Sequence, residues 1–125
     1  MANDIKAFGK FGEDFTAKYL KAKGYKILAQ NFHSRFGEID IIAQNKTTIA
    51  FVEVKTRTEG AKFLPREAVD YFKQQKCVKT AQFYLVNNPS TLQPRFDVSE
   101  IMLSKDTKRP EVKIHNYIEN AFSEV

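Results

Sequence analysis

The chain has 125 residues, 42% hydrophobic and 13% aromatic, which is enough for one domain with a real core and too apolar for a chain that is disordered throughout. Twenty Lys and Arg against fifteen Asp and Glu leave a formal charge of +5, favouring an anionic partner such as nucleic acid. A single cysteine, Cys77, excludes an internal disulfide framework and a CxxC zinc site; with no apolar leader and no run of about 18 apolar residues, the expectation is a cytoplasmic, unexported protein with no membrane partner.

In chain order, residues 9–23 predict an amphipathic helix stopped by Gly24. Phe11, Phe15, Tyr19 and Ala22 form its apolar face, Asp14, Lys18 and Lys21 its wet one, and Glu13 lies near Ala17 and Leu20 at the margin. Residues 25–32 predict a first strand, with His33-Ser34-Arg35 as the following turn and His33 a solvated loop histidine. Two apolar strands then flank Gln44-Asn45-Lys46-Thr47-Thr48: Gly37-Glu38-Ile39-Asp40-Ile41-Ile42-Ala43 and Ile49-Ala50-Phe51-Val52-Glu53-Val54-Lys55-Thr56-Arg57. A polar loop closed by Pro65 leads to a long helix over 66–87, its apolar face drawn from Ala68, Val69, Phe72, Cys77, Val78, Ala81, Tyr84 and Leu85. Lys73, Lys76 and Lys79 recur on another part of that helix, as a solvated face or a phosphate-tracking stripe. Residues 94–103 predict a further strand, 112–118 a short one, and 118–122 a terminal helical turn.

The hairpin carries the chemistry. Strand alternation puts Glu38, Asp40 and Ile42 on one face and Ile39 and Ile41 on the other; in the next strand Phe51, Glu53, Lys55 and Arg57 share a face opposite Val52 and Val54. Pairing across the turn would bring Asp40 toward Glu53 and Lys55. Carboxylates gathered this closely repel, so the cluster calls for a counter-charge: a divalent cation with hard oxygen ligands, or an internal salt bridge in which Lys55 and Arg57 balance Asp40 and Glu53. A hydrated Mg²⁺ or Mn²⁺ would supply a water of lowered pKa for hydrolysis, with Lys55 steadying the developing charge.

Gly12-Glu13, Gly24-Tyr25, Asn31, Gly37 to Ile42, Phe51 to Arg57, Glu67-Ala68-Val69, Lys73, Ala81, Tyr84-Leu85 and Arg95 to Val98 together resemble the YraN-like family of small uncharacterised bacterial proteins, over about residues 8–102. That family resembles the PD-(D/E)XK, restriction-endonuclease-like superfamily, close to Holliday-junction resolvases. The resemblance implies an α/β fold with a three-layer α-β-β-β-α-β core at about residues 8–103, a mixed central sheet flanked by helices, and a short extension over 104–125, all in a single domain 1–125. It implies Asp40 as the motif aspartate, Glu53 as the acidic position, Lys55 as the lysine and Glu13 as the helix glutamate near the metal, with Glu38 a further candidate ligand. Lys73 falls where related folds place a polar helix residue near the phosphate. Phe63-Leu64 stands where relatives often carry Phe-Gly, and His33 replaces an arginine common in the family.

The expected activity is Mg²⁺- or Mn²⁺-dependent hydrolysis of phosphodiester bonds in DNA rather than RNA, on branched or single-stranded structures, with Asp40, Glu53, Lys55 and Glu13 catalytic and Arg35, Arg57 and Lys73 contacting the nucleic acid. The alternatives are a nucleic-acid-binding module of nuclease fold that acts in a DNA-processing assembly without efficient turnover, and an interaction protein whose hairpin charges are structural. A homodimer is a further expectation, through Phe36, Phe63 or the strand around 96–102.

Overall fold

The structure is a computed structural model describing residues 2–60, 70–106 and 108–123, with side chains from Phe8 onward. The elements run α1 (Ala2–Ala22), β1 (Lys26–Ser34), β2 (Gly37–Gln44), β3 (Thr48–Thr58), α2 (Tyr71–Asn87), β4 (Gln93–Leu103) and β5 (Val112–Phe122). The strands form one mixed sheet in the order β1-β2-β3-β4-β5. Among the described residues only β3 and β4 pair in parallel, with α2 lying between them in the chain as the crossover such a pair requires.

Neighbouring residues of β3 divide the core. Ile49 and Phe51 pack with Cys77 and Ala81 of α2, whereas Ala50 and Val52 pack with Ala17 and Leu20 of α1. The two helices therefore cover opposite faces of the sheet, the three-layer α/β arrangement expected. Both faces of β4 are covered too: Phe96 to Ile101 are all buried, which is why its apolar period looks imperfect in sequence. No helix among the described residues is long and apolar enough to cross a membrane.

Several expectations need correction. Helix α1 begins at Ala2, well before residue 9, and its most buried positions are Gly12, Thr16, Ala17 and Leu20; Phe11, Phe15 and Tyr19 are half-buried, and Ala22 is exposed. Gly12 sits where the helix crosses β3, and a Cβ there would collide with Thr56 Oγ1, so backbone contact rather than a large apolar side chain sets the approach. Strand β1 runs through His33 and Ser34, leaving Arg35-Phe36 as the turn. Helix α2 starts at Tyr71, because Asp70 is extended and its carboxylate caps the helix by accepting the Lys73 backbone N–H at 2.9 Å. The expected helical residues 66–69, like Phe63-Leu64 and Pro65, lie outside the described residues. Phe72, assigned to the apolar face, is 74% exposed.

The expected terminal helical turn is strand. Val112–Phe122 pairs antiparallel with β4, from Leu103↔Val112 to Phe96↔Phe122. A buried polar latch fixes it there. Asp97, fully buried, receives Arg95 Nε at 2.9 Å and Nη2 at 2.9 Å, the Tyr117 hydroxyl at 2.6 Å and the Asn120 backbone N–H at 2.9 Å. Arg95 Nη2 also donates to Tyr25 Oη at 2.6 Å, which ties in the chain just before β1. Asn120 holds the positive φ of 54° that turns its N–H inward.

Candidate active site

The site begins where one ladder stops. Strands β2 and β3 pair from Gln44↔Ile49 to Ile41↔Val52 and no further, although both continue. Beyond that pair the Asp40 side chain takes the place of a strand partner: its Oδ2 accepts the Val54 N–H at 2.8 Å. The same irregularity breaks the expected alternation. Ile39 packs on the α2 side and Ile41 on the α1 side, so these two do not share a face. On the other flank of β2, Asn31 adopts a positive φ of 53° where β1 passes Asp40.

Strand β3 keeps its period, and Glu53 and Lys55 face α2 with only 8–9% of their side chains exposed. Glu53 Oε1 lies 3.4 Å from Lys55 Nζ and 3.0 Å from Lys73 Nζ, the latter reaching in from the first turn of α2. The ion pair thus joins β3 to a helix twenty residues on. The resemblance implies a place for Lys73 near the substrate phosphate; here it lies on the acidic residue.

The electrostatics are strained in a specific way. Burial, and after it the neighbouring Glu53, pushes the Asp40 carboxyl up to about 7; Glu13 adds to this, while the Val54 N–H and Lys55 oppose it. Burial also raises Glu13, helped by Asp14 and Glu38 and opposed by Lys10 and a hydrogen bond from Asn31. Burial lowers Lys55, and Lys73 beside it lowers it further against the pull of Glu53. For Lys73 the effect of burial is outweighed by Glu53, with Asp40 adding to it, leaving it raised. Two ammonium groups therefore serve Glu53, while Asp40 has one backbone donor and a carboxylate neighbour.

The other expected residues divide. Glu13, from α1, adds to the raised pKa of Asp40, and its Oε1 is buried without a hydrogen-bond partner. Glu38 is exposed at the rim and paired with His33 Nδ1 at 3.3 Å, so His33 has a partner of its own. A cleft of about 380 Å³ opens onto Glu53, bounded by Gly37, Glu38, Asp70, Phe72, Lys73 and Cys77. The Cys77 thiol, pushed up to about 12 by burial and then by Glu53 and Asp40, is no nucleophile. Arg57 lines a second cleft of about 390 Å³ with Phe8, Gly9, Thr58 and, from the cluster, Lys55. Arg35 lies in the β1–β2 turn, its guanidinium 4.9 Å from the Phe36 ring centre.

Among the described residues, no three His, Cys, Asp or Glu side chains form a ready metal cage. The donor set instead suits a hydrated hard cation held by one or two carboxylates. Two observations fit that: the Asp40 carboxyl would be restored to its charged form by a cation, and Glu13 Oε1 is an orphaned acceptor. Asp40 and Glu53 are the residues that could hold one.

The model of the uncharacterised protein family UPF0102 matches residues 12–101, the interval that holds Glu13, the whole hairpin, α2 and most of β4. A UPF0102 protein of Caldanaerobacter subterraneus subsp. tengcongensis is 52% identical over 118 residues, covering 94% of this chain and 95% of the relative. UPF0102 proteins of Alkaliphilus oremlandii and Alkaliphilus metalliredigens are 47% and 43% identical, each covering 94% of this chain and 98% of the relative. By its sequence and by the span of these matches, the chain belongs to the UPF0102 family.

Proposed function

We propose that the chain is a metal-dependent phosphodiester hydrolase acting on nucleic acid, DNA in preference to RNA. The observation that carries this reading is the inequality of two neighbouring carboxylates: Glu53, buried, is paired with Lys55 and Lys73, whereas Asp40, half-buried beside it, accepts one backbone N–H and has its charge disfavoured. Such a pair costs stability unless something positive joins it, and groups perturbed in this manner concentrate at reactive sites. Mg²⁺ or Mn²⁺, on Asp40 and Glu53, would supply a water of lowered pKa and charge neutralisation at the phosphate.

The protein's own groups supply the rest. Lys55 is fixed on the Glu53 side of the cluster, and a lysine whose charge is disfavoured by burial gains from an approaching phosphate. Lys73, partly exposed, can follow a phosphate or remain on Glu53. Glu13 serves as an auxiliary acid near Asp40. Arg35, in the β1–β2 turn, and Arg57, which lines a cleft together with Lys55, would add affinity without reading sequence.

A second reading, a binding module of the same fold without efficient turnover, is favoured by the completeness of the Lys55–Glu53–Lys73 group, whose carboxylate already has its counter-charges without a metal. Linear, nicked, flapped and four-way DNAs incubated with Mg²⁺ or Mn²⁺ separate the two. Cleavage by the wild type that is lost in Asp40→Ala and Lys55→Ala supports hydrolysis. Binding without metal-dependent cleavage supports the module, and cleavage that survives both substitutions removes the site assignment.

A further inference from the structure

Helix α2 turns Cys77, Thr80 and Ala81 inward and leaves Phe72, Lys76, Lys79, Phe83 and Val86 exposed. At about 100° per residue, Phe72, Lys76, Lys79, Phe83 and Val86 fall within one strip about 80° wide. Of its apolar members, Phe72 is 74%, Phe83 40% and Val86 77% exposed. Tyr71, 63% exposed, lies about 60° to one side of the strip at its start, with its ring centre 5.9 Å from that of Phe72. The strip runs about 20 Å along the helix at 1.5 Å per residue.

Its two ends and its charge suggest what lies on it. Phe72 and Lys76 line the cleft that opens onto Glu53, so the strip starts at the candidate active site. At the other end Phe83 meets Phe36 at 6.4 Å, and Arg35 lies over Phe36. Between Tyr71 and Asn87 the helix carries three lysines and no acidic residue. Exposed aromatic rings interleaved with cations offer both things that an unpaired polynucleotide presents, flat bases and phosphates. A duplex does not fit this pattern, because its bases stack on one another and leave no face for Tyr71 or Phe72.

We propose that the outer strip of α2 is a track for a single nucleic-acid strand, with bases stacking on Tyr71 and Phe72 at the mouth of the cleft and phosphates met by Lys76 and Lys79. This rests on the hydrolase reading and narrows its substrate to nucleic acid that is unpaired beside the scissile bond. Lys73, which turns inward to Glu53, is the lysine of the three that does not belong to the track.

The test is equilibrium binding in EDTA, which needs no catalysis. A labelled DNA strand, a strand of the same length with its bases removed, and a blunt duplex are titrated into the wild type, Tyr71→Ala/Phe72→Ala and Lys76→Ala/Lys79→Ala. The wild type is expected to prefer the intact strand over the base-less one by about tenfold, stacking being worth that or more per base. The aromatic variant should lose that preference while binding the base-less strand like the wild type. The lysine variant should weaken both strands and flatten the dependence of log affinity on log salt by about 0.7 for each phosphate it no longer neutralises. Melting curves check that these surface variants remain folded.

Unchanged preference in the aromatic variant overturns the track, and if metal-dependent cleavage persists the hydrolase reading survives without it. A change in oligomeric state with binding intact also overturns it and makes the strip an interface between copies. A wild type that binds none of the three ligands overturns both readings.

Discussion

Asp97 and Asp40 are carboxylates inside the same sheet, and the fold treats them oppositely. Around Asp97 the chain places a guanidinium, a phenol and a backbone N–H, so that both oxygens have donors and the charge is matched within its own network. Around Asp40 it places one backbone N–H and, close by, Glu53 and Glu13. A satisfied buried network fixes one geometry, here the docking of β5 on β4. An unsatisfied one stores a demand for a ligand, which is why the first is read as architecture and the second as a site.

The sharpest way to break the comparison is to remove each carboxylate. Asp97→Ala leaves Arg95 and Tyr117 without their common partner and should destabilise the protein by about 3–5 kcal/mol, the usual effect of breaking a buried ion pair. Urea unfolding measures the loss, and amide exchange should show it first in β5. Asp40→Asn should act in the other direction at alkaline pH. The Asp40 carboxyl titrates at about 7 in the fold against an ordinary value of 3.8, so the folded chain holds the proton more tightly than the unfolded one. Its contribution is therefore most favourable below about pH 4 and is lost as pH rises through about 7, by on the order of 3 kcal/mol. Melting curves at pH 8 should accordingly find Asp40→Asn more stable than the wild type, with the gain vanishing toward pH 4.

Gly12→Ala probes the helix that carries Glu13 to Asp40. The added Cβ meets Thr56 Oγ1, and lifting α1 from β3 should cost about 1–3 kcal/mol while leaving the Asp97 latch in place. Thermal unfolding together with the Tyr117 environment reports both. The smallest effect is expected at the rim: His33→Ala removes a contact with Glu38 whose side chains are 68% and 60% exposed, and should change stability by less than about 0.5 kcal/mol in a urea titration.

What is legible in the sequence follows the range of the interactions. The hairpin and the order of the elements through β4 rest on local apolar patterns, and the structure keeps them. The break in alternation at Asp40 is not legible, because a side chain standing in for a backbone partner leaves no trace in a hydrophobicity period. Lys73 looks like one of three equivalent lysines, and only the packing of α2 on β3 singles it out. The Asp97 latch escapes a local reading entirely. Its partners Tyr117 and Asn120 lie 20 and 23 residues away, and the segment that carries them reads as a short strand and a helical turn. Arg95, two residues from Asp97 on the same strand, is the one available signal: a cation and an anion one step apart on a single face of the strand.

The claim to test is that the charge of Asp40 is disfavoured in the fold and is favoured again when a cation joins it. Carbonyl-carbon NMR of Asp40, followed against pH with and without Mg²⁺, measures this directly. A midpoint near 7 in EDTA that falls well below 7 with Mg²⁺ is the predicted result. A midpoint in the ordinary carboxylate range, unmoved by Mg²⁺, would contradict it.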